Sequence, residues 1–215
     1  LLIAMRRTGM LPSQVDFSKI TFSDIIHDGK YSYVNIEYNK GCFVVNTPIF
    51  REIIEVEMGD KFMKCCVMVE DDNFIDFITK LETHMIDMGG LNSHKWFDAS
   101  TNNWTYRSLL KKCDDNKYIE LKILNGTRTK TRITESYDKL QHNELQLSSI
   151  KNFNKDYPTR FIINIDMIYF RRNVMQLNVR PVYVEQLILE DYGFSSDEDN
   201  NDKLSTIKEG DEDDE

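Results

Sequence analysis

Two long β-like runs, Phe161 to Phe170 and Val174 to Leu189, stand almost end to end, separated only by Arg171-Arg172-Asn173. So short a connection brings the second run back beside the first, which predicts a long antiparallel hairpin. A hairpin of that length needs a layer to cover its apolar face, so the chain is constrained to a β architecture with a covering element. Pro158 falls at the start of the first run and Pro181 inside the second. Proline cannot donate to a ladder, so the second run is expected to lie partly at an edge.

The rest of the chain reads in the same way. Tyr31 to Tyr38 alternates over its later residues, Asn39-Lys40-Gly41 is a turn signal, and Cys42 to Asn46 follows, which predicts a second hairpin. Lys61 to Val69 reads as a strand with Phe62, Cys66, Val67 and Val69 available to a core. Asp71-Asp72-Asn73 supplies cap chemistry for a helix start. Phe74, Phe77, Ile78, Leu81, Met85 and Met88 then form one apolar helix face, expected to end at Gly89-Gly90. Tyr118 to Leu124 is a strand, Asn125-Gly126 a tight turn, and Thr127 to Ile133 a returning strand with Arg128, Lys130 and Arg132 on one face. Residues 136 to 153 leave a short helix open. Some seven strands, one substantial helix and no repeated βαβ unit give the expected fold class: mainly β, an OB-like antiparallel barrel with one inserted helix.

Charge divides the chain. From Ser195 to Glu215 ten acids face two lysines, a net of −8, against −9 for the whole chain, so residues 1–194 are close to neutral. A segment with no aromatic residue and almost nothing apolar cannot offset its ordering entropy, so residues 195–215 are expected to be a disordered acidic tail after a single domain over 1–194. Within the body, residues 51–90 carry a net of −6, while 107–139 and 151–180 carry +4 each. Two readings fit: a solvated surface with a solubility tail, or a polyanion groove with an intramolecular competitor.

Other classes lose ground. No apolar run approaches the roughly 18 residues of a membrane span, and Leu1 to Met5 has its charges, Arg6-Arg7, on the wrong side for a secretory signal. The chain begins at Leu1, so a fragment or processed form is expected. Cys42, Cys65, Cys66 and Cys113 show no C-x-x-C, and no His pair has ligand spacing, which points to free thiols in an intracellular protein and to no metal or cofactor. No phosphate-binding loop, dinucleotide fingerprint or nucleophile elbow is present, and His27, His84, His94 and His142 have no nucleophile near them in sequence. A non-enzymatic role is expected.

Three segments, in order, resemble the single-stranded DNA-binding proteins of the nucleocytoplasmic large DNA viruses, a family similar to the phage-type OB-fold proteins with acidic tails. Tyr33 to Pro48 looks like that family's early hairpin, which ends in Thr-Pro. Phe74 to Leu81, continuing to Asn92-Ser-His-Lys-Trp-Phe97, is similar to its helix and the Asn-Ser-x-x-Trp-Phe element after it. Arg160 to Phe170, continuing to Val184-Glu-Gln-Leu-Ile-Leu189, resembles its closing hairpin. The resemblance implies sequence-independent binding of single-stranded DNA in viral DNA replication, recombination and repair, inside the host cell's replication compartment. It also implies replication proteins as partners of the acidic tail. Homo-oligomer formation stays open, and so does a virion or scaffold protein on the same barrel.

A coat for single strands needs cations that follow the phosphates and flat rings that carry the bases. The candidate cations are Arg107, Lys111, Lys112, Lys122, Arg128, Lys130, Arg132, Arg160, Arg171 and Arg172; the candidate rings are Trp104, Tyr106 and Tyr169, with Trp96 and Tyr157 considered beside them. Trp104 and Tyr106 lead because they stand in the polar stretch Ser100 to Arg107. Trp96 and Phe97 are assigned to the core, closing the helix against the barrel.

Overall fold

The structure is a computed structural model, and it describes residues 9–29, 31–97, 104–124, 131–137, 145–146 and 153–188; the side chains of 132, 134–137, 145–146 and 188 are outside that description. The strands are β1 (Ile20–Phe22), β2 (Ile26–Asp28), β3 (Tyr31–Tyr38), β4 (Val44–Phe50), β5 (Ile53–Met58), β6 (Phe62–Met68), β7 (Thr105–Arg107), β8 (Lys111–Cys113), β9 (Asn116–Leu124), β10 (Arg132–Tyr137), β11 (Leu145–Gln146), β12 (Thr159–Arg171) and β13 (Val174–Ile188). Two helices, α1 (Asp72–Leu91) and α2 (Ser93–Trp96), lie between β6 and β7. The class is the expected one: mainly β, a curled sheet of OB-like form with one long helix against it.

The long hairpin is the spine. β12 and β13 pair antiparallel from Thr159↔Gln186 to Arg171↔Val174, turning through Arg172 and Asn173, with Arg172 in the left-handed region at φ 55°. The larger sheet runs β1-β3-β12-β13-β10-β11, with β2 on β3, β4 on β12 and β7 on β13. The outer side of β13 takes β7 along Val174–Gln176 and β10 along Tyr183–Ile188. Pro181 falls between those two partners, where no ladder asks for its missing N–H, and its carbonyl accepts the Thr131 hydroxyl at 2.9 Å. Gln186 is fully buried. Its amide exchanges two hydrogen bonds with the Asn154 backbone, at 2.6 and 3.1 Å, and so ties the approach of β12 to β13.

Two expected hairpins resolve differently. β3 and β4 do not form a ladder with each other. Both run antiparallel to β12, β3 against Met167–Phe170 and β4 against Thr159–Asn164, so they lie end to end along one strand. The turn at Asn39 and Lys40, both at positive φ, is a local excursion that returns the chain to the same edge. Likewise β9 belongs to a separate sheet, β5-β6-β9-β8, while β10 joins the larger sheet by pairing parallel with β13. Leu124 and Thr131 close the base of the loop between them, Thr131 N–H donating to Leu124 O at 3.0 Å. The strand expected over Thr127 to Ile133 is therefore described only from Arg132. Residues 138–144 and 147–152 and the acidic tail lie outside the described residues. In the stretch 136–153, where the sequence allows a short helix, residues 136–137 belong to β10 and 145–146 to β11.

The helix begins as expected: the Asp71 carboxylate accepts the Phe74 N–H at 2.7 Å. Its buried face is Phe74, Phe77, Ile78, Leu81 and Met85. It does not stop at Gly89-Gly90 but runs on to Leu91. Gly89 is there for room: a Cβ on it would stand 3.0 Å from both Met175 Sδ and Trp104 Cη2. Beyond the helix, Trp96 and Phe97 are buried on Phe170, with ring centroids 5.7 and 5.2 Å away, as their core assignment requires. No helix of the described residues is long and apolar enough to cross a membrane.

Candidate nucleic-acid interface

Alternation decides which side chains leave the core. Near the β12–β13 turn, Ile168 and Phe170 are buried and so are Met175 and Leu177, leaving Met167, Tyr169, Arg171, Val174, Gln176 and Asn178 on the other face. On β3, Val34 and Ile36 are buried, which turns Tyr31, Tyr33 and Asn35 to that same face. The registers line these residues up. Ile26 stands opposite Tyr33, Tyr33 opposite Tyr169, Tyr169 opposite Gln176, and Gln176 opposite Arg107. One row across five strands thus carries an apolar side chain, two phenols, a carboxamide and a guanidinium.

The two phenol rings are neighbours, with centroids 6.2 Å apart and planes at 59°. Tyr169 is 36% exposed, and Tyr31, one row nearer the turn, is 48% exposed. Burial, with Asp166 beside it, pushes the Tyr169 phenol upward from its usual range, so it stays a neutral donor at neutral pH. Arg107, Arg171 and Arg172 are exposed at this end of the sheet. Among the described residues none of the three has an ion-pair partner.

Next to the tyrosines lies a polar network. A register shift between Ile165 and Met167 gives β12 an extra residue opposite Asn178, and that residue is Asp166. Its carboxylate accepts the Asn178 amide at 2.7 Å, Arg180 Nη2 at 3.0 Å and the Asn164 amide at 3.4 Å.

The other sequence candidates lie elsewhere. Trp104 is half-buried, stacked on Phe97 with centroids 5.1 Å apart and planes at 11°. Tyr106 sits opposite the buried Met175, and burial, with Glu82 nearby, holds its phenol far above its usual range. Both rings pack toward the helix, because β7 turns its middle residue inward, and neither joins the open row. The smaller sheet holds a second set of cations. Glu120 accepts Lys64 at 2.9 Å and also bonds Lys111, and these two lysines hold its carboxyl below its usual range. Lys122 Nζ stands 4.5 Å over the Phe62 ring, and Lys112 is exposed. Arg160, at the far end of β12, is 3.4 Å from Glu185. Arg128 and Lys130 lie outside the described residues, and of Arg132 only the backbone, opposite Tyr183, is described.

The structure therefore brings together Tyr169, Arg107, Arg171 and Arg172 of the sequence candidates. It adds Tyr31, Tyr33 and Arg180, which the sequence reading passed over. The signal for the first two was present, since Tyr31, Tyr33 and Asn35 share the non-core parity of their strand. Among the described residues no group of three or more His, Cys, Asp and Glu comes close enough to hold a metal ion.

No protein-family model matches this chain, and no curated protein matches its sequence. Among solved structures, gp2.5, a single-stranded DNA-binding protein encoded by bacteriophage T7, is similar at a TM-score of 0.44 and 8% identity, over 79% of this chain and 100% of that one.

Proposed function

We propose that the protein binds single-stranded DNA, without catalysis and with little regard to sequence, on the open face of the larger sheet. The observation that carries the reading is the Tyr33–Tyr169 pair, Tyr169 exposed and Tyr33 half-buried, with the exposed Tyr31 beside it and Arg107, Arg171 and Arg172 around it without an ion-pair partner among the described residues. Exposed rings offer faces on which bases stack, and guanidinium groups free of carboxylates are available to phosphates. The setting implied by the sequence resemblance, the replication, recombination and repair of a large viral genome, is one in which such a coat keeps unwound template from folding on itself. Lys111, Lys112, Lys122, Arg128, Lys130, Arg132 and Arg160 are proposed to extend the path of the backbone beyond the face. Trp104 and Tyr106 are proposed to support it from behind.

The test is a titration of a labelled single strand and of the same sequence as duplex, across a salt series. Single-strand binding is expected to be much the tighter, because duplex bases offer no faces to the tyrosines. Its affinity should fall with salt at a log–log slope of about −0.7 per phosphate neutralised. Equal affinity for the two forms, or no binding at low salt, removes the proposal.

The tail enters as a regulator of the same face. Residues 195–215 carry −8, enough to stand in for a short run of phosphates, and tethering gives such a segment an effective concentration of about millimolar order. We expect a chain ending at Phe194 to bind single strands more tightly at low salt, with the difference closing as salt rises. Unchanged affinity at low salt means the tail is not a competitor. In that case its proposed contacts with replication proteins lose their release mechanism.

A further inference from the structure

The polar network beside the tyrosines has a direction. Asn178 spends its amide N–H on Asp166 Oδ1, at 2.7 Å, and Asn164 turns its own amide toward Asp166 Oδ2. A carboxylate only accepts, so neither carboxamide can flip without setting an oxygen against an oxygen. Both carbonyls are thereby fixed pointing away from Asp166, as acceptors. Asn164 is buried, and its Oδ1 and the Arg180 Nε opposite it have no hydrogen-bond partner among the described residues. Asn178 is only half-buried and lies one row from Gln176, the cross-strand neighbour of Tyr169. The floor beside the ring pair is thus polar, partly unsatisfied and presents an oriented acceptor at its rim.

We propose that this network reads the edge of one nucleobase stacked on the Tyr33–Tyr169 pair, and that it favours bases carrying an exocyclic amine over thymine. The inference rests on the single-strand reading above and refines it: most of the bound strand stays unread, and one position is biased. An oriented carbonyl needs an N–H opposite it. Cytosine offers its N4 amine and adenine its N6 amine, whereas thymine presents the O4 oxygen and a methyl group at the corresponding place. A thymine in the same position sets oxygen against oxygen, and it must slide on the tyrosines before its one donor, the N3–H, reaches the carbonyl. Gln176 is exposed and not tied to Asp166, so it can rotate to suit any base and adds no bias of its own.

Cytosine and thymine oligomers of equal length make the cleanest comparison, because both stack weakly on themselves and differ chiefly at the edge. The parent protein should bind the cytosine oligomer about fivefold more tightly than the thymine oligomer. Asn178→Ala should remove the gap by weakening cytosine binding while leaving thymine binding nearly as it was. Because the thymine oligomer reports on stacking and phosphate contacts alone, it also checks that the variant is folded. Equal binding of both oligomers by the parent, tighter binding of thymine, or a gap that survives Asn178→Ala overturns the base-edge inference and leaves single-strand binding intact. Failure to bind either oligomer takes away the single-strand reading itself, and this inference with it.

Discussion

Replacing Tyr33 and Tyr169 together with alanine is expected to lower single-strand affinity by roughly a hundredfold, about tenfold for each ring. Each stacked base contributes about 1–3 kcal/mol, and 1.4 kcal/mol is a factor of ten in affinity. Stability should hardly change. The rings lie on the open face, opposite one another across β3 and β12, and a cross-strand pair of this kind contributes about 0.2–1 kcal/mol. The salt slope should stay where it was, because no cation is removed. Equilibrium titration at several salt concentrations, with thermal unfolding alongside, reads all three quantities. Unchanged affinity at unchanged stability would move the stacking site off this face. Trp104→Ala and Tyr106→Ala are the contrasting variants. Their rings pack on Phe97 and beside Glu82 and Met175, so their first effect should be on unfolding temperature.

What the sequence made legible follows the range of the interactions involved. The β12–β13 hairpin, the Asp71 cap and the apolar face of α1 are set by neighbours within a few residues, and alternation, turn chemistry and helical spacing report them directly. The pairing of β3 and β4 with β12 is a contact across more than a hundred residues. A strand, a turn and a second strand look alike in sequence whether the two strands pair with each other or share a third. Gly89 misled for a related reason, since its lack of a side chain serves Met175 and Trp104 rather than a helix stop. The site was partly legible. Tyr169, Arg171 and Arg172 stand out beside the hairpin turn. The parity of β3 puts Tyr31 and Tyr33 on its non-core face, but only the register of β3 on β12 puts them beside Tyr169. Trp104 and Tyr106 stood in a polar stretch, and polarity of neighbours in sequence says little about which way a short strand faces. The bulge at Asp166 adds a further step that composition cannot reveal. Ile163 and Ile165 are buried before it and Ile168 and Phe170 after it, so the parity of the strand changes in the middle of one apolar run.

That change of parity sets up the second large effect, at Phe161. Its ring is wholly buried and 5.8 Å from Phe50, which is 5.9 Å from Phe74 on the helix, which is in turn 5.9 Å from Phe77. These rings link β12 through β4 to α1, and so hold the helix across the sheet. The backbone is committed there as well. The Thr47 hydroxyl accepts the Phe161 N–H at 3.0 Å where the β4 ladder shifts register, and donates to the Pro48 carbonyl at 2.8 Å. Phe161→Ala would therefore leave a cavity that little can collapse into, at a cost of about 3–5 kcal/mol. Against a total stability of about 5–15 kcal/mol, that is a large fraction. For a chain of this size the unfolding temperature should fall by roughly 6–20 °C. Single-strand affinity, measured well below that temperature, should stay within about twofold of the parent, because the ring lies in the core and the tyrosines lie on the open face. Calorimetry and titration on the same preparation separate the two effects. A Phe161→Ala protein that melts like the parent would show that this aromatic chain does not hold the helix. One that stays folded and loses binding by tenfold or more would show that the open face depends on the core packing beneath β4.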